Sequence, residues 1–533
     1  VFTCYSSSYF KQNNNSSVII DNESSLVLGA GSKYEILAGA VLRIRNNSKL
    51  IIASGSQLIV NEGGQVIIEN TGTLEYQGGS IVLNGTNAKI DFIGNLSIAA
   101  NAIFTFTGTG YIKFSSTNPT PSNLYAGTNA KIELTGSGQS DVVLEIAQER
   151  LALPRELYHL KIENAQVKMT HSSTRIFQNY ELGQTAARCS LSNVKFTNNI
   201  SGRSNYCGLS LYQTSGTYIT GCYFEKGACG IFANLTQSSS TITITGCTFN
   251  NCYTGVQVYG KGATLTSCAI DFCYNGFYGT ALINPTIINN CSMTGNTNYP
   301  IYYVGSSGAD LTIESCAINS NSKGVLMDGG FTGNVHCSQI TNNGISGLLV
   351  KNGCYLNMSQ INSAGNNDLS LNKYPVYFQN ANVPNLSQGY NKLIKKVVAG
   401  SFDLYGTLSC AFQTIYPSNN EWKSPNGNPV QGTDYNVWTS YTPTQYFNFI
   451  DLSPMAYSSC GGGGQQLSMP VSEMLMSDVS TINSSSFNNV SLPNAVSVAV
   501  TDMKAGNYVE ALNKLFEIFR SEEHTSELQS RSD

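Results

Sequence analysis

Residues 219–224 read ITGCYF, residues 244–249 read ITGCTF and residues 265–270 read LTSCAI. The three are one pattern, apolar-x-x-small-x-apolar, whose middle residues Cys222, Cys247 and Cys268 are spaced by 25 and then 21 positions. It continues as Ile288/Cys291/Met293, Ile313/Cys316/Ile318, Val335/Ser338/Ile340 and Leu356/Ser359/Ile361, at steps of 23, 25, 22 and 21. Each copy is followed by a second strand-like run opened by Gly or Pro: Gly230-Ile231, Gly255-Val256, Gly276-Phe277, Pro300-Ile301, Gly324-Val325, Gly347-Leu348 and Pro375-Val376. A unit this short cannot bury an apolar face alone. Stacking successive copies buries it, so the period predicts a solenoid with one copy per coil.

Upstream the same architecture is written in a shorter period. Apolar runs begin near Leu26, Ile36, Leu42, Leu50, Leu58, Val66, Leu74, Ile81 and Ile90, and Gly, Ser or Asn follows them. Each gives a strand of three or four residues, and three such units make a triangular coil of about 24 residues. The composition agrees. Only 12% of the 533 residues are charged, against 50 Gly and 30 Tyr, which suits short strands and tight turns and not charged helix faces. The net charge of −4 argues against nucleic acid as a partner. No run of eighteen apolar residues occurs, so no membrane-spanning segment is expected.

The resulting expectation is an all-β, single-stranded parallel solenoid with a short helical remnant at the C-terminus. Residues 1–113 form the short-repeat section. Residues 114–186, with Pro119, Pro121, Pro154 and a charged stretch from Glu145 to Lys161, read as a loop excursion. Residues 187–410 form the main section, with coils of 21–28 residues. Residues 411–460, with Trp422 and Trp438, read as a cap over the open end, since exposed strand edges invite aggregation. Residues 461–494, opened by Gly461–Gly464, read as a low-complexity linker, and residues 495–519 as a partial helical module resembling a tetratricopeptide-type repeat. Residues 520–533, RSEEHTSELQSRSD, look like a translated sequencing adapter and are set aside, so the natural chain is expected to continue past Phe519.

The coils resemble the pectin-lyase-like right-handed β-helix superfamily over residues 20–410. The Asn/Gly/Ser-rich style is similar to that of large secreted β-helix repeat proteins of Bacteroidetes-type bacteria. The resemblance implies a right-handed parallel β-helix, secretion or cell-surface location, and contact with polysaccharide, although the superfamily also holds many non-enzymes. Polygalacturonase-type relatives would need an Asp cluster and a Gly-His-Gly. Outside the tail the histidines are His159, His171 and His336, none flanked by glycine. Pectate-lyase types would need clustered acidic residues for calcium and a basic proton acceptor. No such cluster is found, so no metal and no cofactor is expected.

Cys222, Cys247, Cys268, Cys291 and Cys316 occupy one inward slot, where Cys serves as a small apolar filler. Cys252 and Cys273 align one coil apart, and a disulfide between coils or a metal site are the alternatives. The position after the second inward apolar residue reads Glu225, Asn250, Asp271, Thr294, Asn319, Thr341 and Asn362. Glu225 and Asp271, two coils and about 10 Å apart, together with Lys226 are the weak candidates for catalysis, just beyond the spacing of an inverting glycosidase pair. Otherwise they form a turn row facing water. The outward row of the second strand reads Ser210, Phe232, Gln257, Tyr278, Tyr302, Leu326, Leu349 and Tyr377. Phe232, Gln257, Tyr278, Tyr302 and Tyr377 are candidates for stacking sugar rings, unless the chain itself covers them. The function expected is that of a non-enzymatic, adhesin-like or polysaccharide-binding surface protein; the alternatives are a polysaccharide lyase or glycoside hydrolase, and a rigid spacer.

Overall fold

The computed structural model describes residues 1–409 apart from 118–122, 137–142, 149, 155–156, 171–174, 179–187, 199–206, 213–216, 237–241, 360–364 and 388, together with 420–422 and 435–439. The chain divides into two units, Val1–Leu467 and Ser468–Asp533, and all described residues belong to the first. The expected linker, helical module and tail, and most of the expected cap, lie outside the described residues.

Strands of four residues such as Ser25–Leu28, Lys33–Ile36 and Val41–Ile44 alternate half-exposed and buried positions, because successive side chains of a strand point to opposite faces. Each pairs in parallel with its counterpart one coil on: Leu26 with Leu50 and Leu50 with Leu74, Tyr34 with Leu58, Leu42 with Val66 and Val66 with Ile90. Three parallel sheets therefore enclose one core, as three short units per coil require. The third sheet runs on through the molecule. Its inward row passes from Ile90 to Ile112, Leu144, Val167, Phe196, Phe224, Phe249, Ile270, Met293, Ile318 and Ile340. Phe196, Phe224 and Phe249 stack face to face, with centroids 4.5 and 4.9 Å apart. Such pairs add roughly 0.5–1.5 kcal/mol beyond burial.

Two expectations are corrected. The described strands within 114–186 belong to the solenoid and not to an excursion: Tyr111–Phe114, Val143–Ile146, Gln166–Met169 and Lys195–Asn198 pair in succession, as do Ala130–Thr135, Leu157–Glu163 and Arg188–Ser192. Charged Glu145 and Lys161 are the outward half of the alternation, with Leu144, Ile146, Leu160 and Ile162 buried, and uneven corners hide the period. The second correction is one of register. Leu356 pairs with Gly333, not Val335, and Gln339 bridges Asp368. The slot after Ser338 is filled by Asn367, whose Oδ1 accepts the Ser338 N–H at 2.9 Å, so Ser359 is not the next copy, and Ile361 lies outside the described residues. Chance apolar spacing within a longer corner imitated the repeat. Beyond 410, Tyr435–Thr439 still pairs with Leu404–Leu408, so the stack enters the segment expected to be a cap.

The thiol slot is as read, and it continues as something the repeat pattern did not reveal. Cys222, Cys247, Cys268, Cys291 and Cys316 are buried free thiols. The Cys222 N–H reaches the Cys247 sulfur at 3.4 Å, and the Cys316 N–H reaches Ser338 Oγ at 3.1 Å. The same slot then holds Asn367, Asn391 and Asn420, each amide accepting from the one before at 2.8 Å. A second slot runs Cys252, Cys273, Asn296, Asn321, Asn343 and Asn372. Each of these asparagines donates Nδ2 to a backbone carbonyl of the coil behind, satisfying groups that the corner removes from the sheet. Burial pushes the Cys189 and Cys354 thiols up to about 12. Cys337 differs, being disulfide-bonded.

Candidate functional site

The first candidate row follows the register expected for it; the second does so as far as Thr341, and Asn362 lies outside the described residues. The first is the outward row of the second strand. Ser210 pairs with Phe232, then Gln257, Tyr278, Tyr302, Leu326, Leu349, Tyr377 and Tyr405 in unbroken succession. Inward Ile231, Val256, Phe277, Ile301, Val325, Leu348 and Val376 fix the strand by burial, so the alternate residues must face out. Phe232, Tyr278, Tyr302 and Tyr377 are half-buried, while Leu326 is buried. Gln257 accepts from the Cys229 thiol at 3.3 Å.

The tyrosines form two clusters. In one, Tyr278 stacks on Tyr302 with centroids 4.6 Å apart, and Tyr299 meets Tyr302 edge-on at 5.6 Å. Beside it Tyr253 stacks on Tyr274 at 4.7 Å. In the other, Tyr374 stacks on Tyr405 at 4.6 Å, with Tyr377 and Phe402 against Tyr405. Burial raises the Tyr278 and Tyr299 hydroxyls above their ordinary range, and neighbouring tyrosines add to the effect. Lys323 lies over the Tyr299 ring at 4.5 Å and Lys373 over Tyr374 at 5.2 Å. Among the described residues neither lysine has an ion-pair partner. A polar row flanks the tyrosines two residues along the strand. It includes Thr280, Gln379, Thr407 and the pair Asp328–Lys351 at 3.5 Å, interrupted by Val304 beside Tyr302. The sequence pointed to the outward row but missed Tyr253, Tyr274, Tyr299 and Tyr374. Tyr274 and Tyr299 stand at the corner before the strand, Tyr253 follows the positive-φ Asn251 within Thr248–Tyr259, and Tyr374 opens Tyr374–Ala381, positions where simple alternation no longer says which way a side chain points.

The second row is the carboxylate row. Glu225, Asn250, Asp271, Thr294, Asn319 and Thr341 are successive partners. Glu225 is paired with its neighbour Lys226 at 3.6 Å. Burial pushes Asp271 up to about 6, against the lowering effect of the Thr294 N–H that its Oδ1 accepts at 3.0 Å. Asn250 lies between the two acids, which the parallel-sheet spacing sets about 10 Å apart. His336 stands at a turn beside Cys337, its Nε2 3.1 Å from that sulfur. Among the described residues no group of three or more His, Cys, Asp or Glu side chains could hold a metal ion, and no helix is long and apolar enough to cross a membrane.

The geometry therefore offers a tyrosine-lined outer face along the solenoid axis and a carboxylate row without a cation between its acids. Residues 207–369 match the family model described as right handed beta helix region, which covers most of both rows. No curated protein and no solved structure matches the chain.

Proposed function

We propose that this chain, which carries the right-handed β-helix of the pectin-lyase-like superfamily, binds an extended polysaccharide along its outward tyrosine row as a secreted or cell-surface protein. The observation that carries the reading is the half-exposed Tyr278–Tyr302 stack, flanked by a polar row. Sugar rings present flat C–H faces that lie on aromatic rings, and tyrosine hydroxyls and side-chain amides serve their hydroxyls. Parallel coils repeat every ~4.8 Å along the axis, so an extended chain lying along it meets similar contacts rung after rung. Lys323 and Lys373 at the rim, without an ion-pair partner among the described residues, favour sugars that carry acidic groups.

The test is affinity electrophoresis and calorimetry against soluble xylan, mixed-linkage glucan, polygalacturonate and alginate. Tyr302→Ala is expected to weaken binding by about tenfold or more, on the scale of stacking contacts worth roughly 1–2 kcal/mol, with circular dichroism unchanged. If no polysaccharide binds, or if Tyr302→Ala and Tyr278→Ala both leave binding intact, the reading is wrong.

One observation favours a second reading, a lyase or hydrolase using Glu225, Lys226 and Asp271. A carboxyl raised to about 6 is suited to general-acid work near neutral pH. Glu225→Gln and Asp271→Asn abolishing reducing-end release from any of the four polysaccharides would establish it.

A further inference from the structure

One corner row of the solenoid holds residues that its backbone conformation does not favour. Between the carboxylate row and the tyrosine corner, each coil passes through a residue of positive φ. In successive coils it is Lys226 (54°), Asn251 (55°), Phe272 (55°), Gly295 (68°), Ser320 (56°), Asn342 (53°) and Leu371 (63°), so Phe272 is the one aromatic of the row and Leu371, 53% exposed, its other bulky apolar member. Asn and Gly are the residues this conformation favours, and a bulky aromatic is an outlier there. Burial would repay the strain in a core position, but Phe272 is 59% exposed. Its ring lies over Gly295, where a Cβ would come within 2.7 Å of it, so the next coil leaves room for the ring without enclosing it. Buried Cys273 separates Phe272 from Tyr274, whose ring stacks on Tyr253, itself 43% exposed. Tyr253 and Tyr274 in turn act on the hydroxyls of Tyr278 and Tyr299. Phe272 thus stands two residues before Tyr274, at the edge of the tyrosine-lined face.

We propose that Phe272 is a ligand-contacting, specificity-determining residue of this surface, its strained backbone retained because the ring meets the bound polysaccharide. The inference rests on the polysaccharide reading of the tyrosine row and adds to it a lateral wall that the strand pattern does not include. Strained residues that the fold itself does not need are concentrated at binding sites. The rim lysines and the Phe272 wall together fit a chain whose sugars carry both an apolar face and an acidic edge.

The test separates strain from contact by using a residue that suits the turn. Phe272→Asn is expected to keep or raise the melting temperature by a few degrees while lowering affinity for the best-binding of the four polysaccharides by at least fivefold. Phe272→Tyr is expected to retain affinity. If Phe272→Asn leaves affinity unchanged while Tyr302→Ala abolishes it, Phe272 is no contact and only this inference falls. If Phe272→Asn lowers melting temperature and affinity together, the ring is structural and the inference is again overturned. If the wild-type chain binds none of the four, the inference falls with the reading it rests on.

Discussion

Asp271 carries a charge where water is scarce. Its Oδ1 accepts one backbone N–H and no cation contributes to its environment, so burial dominates and the carboxyl is pushed up to about 6, from an unfolded value near 4. Because the folded chain holds the proton more tightly, its contribution to stability is full below about pH 4 and is lost as pH rises through 6. The expected outcome is that Asp271→Asn, whose amide oxygen can still accept the Thr294 N–H, is more stable than the parent above pH 6, by on the order of 1–3 kcal/mol. Below pH 4 the two should unfold alike. Urea midpoints taken from pH 4 to 8 check this, and parallel curves for the two proteins would show that Asp271 is not the titrating group.

At the scale of the element, the two internal slots differ in how replaceable their members are. Asn321 accepts from the Asn296 N–H and Nδ2, donates to the Met293 carbonyl and is itself linked to Asn343. Asn321→Ala orphans several buried groups at once, each costing roughly 1–3 kcal/mol, so it is expected to lower stability by about 3 kcal/mol or more. Cys291→Ser should cost under about 1 kcal/mol, because Ser338 already fills the same slot and accepts the preceding N–H. Denaturant titration of the two variants decides the ranking. The thiol half of these slots was legible in the sequence, since Cys recurs there beside Ile and Phe at the coil period. The asparagine half was not: in a chain rich in turn asparagines, a buried Asn372 and an exposed Asn342 look alike. The same holds for the surface. Strand alternation exposed Tyr278 and Tyr302, because inward Phe277 and Ile301 fix the register, whereas Phe272 and Tyr253 sit at a corner whose direction depends on a positive φ. Where corners are short the coils could be aligned from sequence. Between Ser338 and Asn367 the step is longer, and chance apolar spacing at Leu356 and Ser359 overrode the true register.

For the whole molecule, each coil touches its neighbours and little else, so stability should be local and roughly additive along the axis. The buried thiols report on this directly, with Cys4 in the first coil, Cys189 midway, and Cys222 to Cys316 and Cys354 further on. Introducing a charge into the short-repeat section by Leu50→Asp places a carboxylate in a fully buried position flanked by Leu26 and Leu74. It should cost several kcal/mol in the coils that enclose it. In a one-dimensional array that cost is confined: Cys4 becomes reactive toward a thiol reagent under native conditions, while Cys247 and Cys268 remain protected. Ile244→Asp, placed between Ile219 and Leu265, should do the reverse, exposing Cys247 and sparing Cys4. Mass spectrometry after pulsed alkylation reads both variants on the same set of thiols. If either substitution instead releases all of them together, the solenoid unfolds as one cooperative body, and the through-running third sheet couples its two ends more strongly than contacts between neighbouring coils provide.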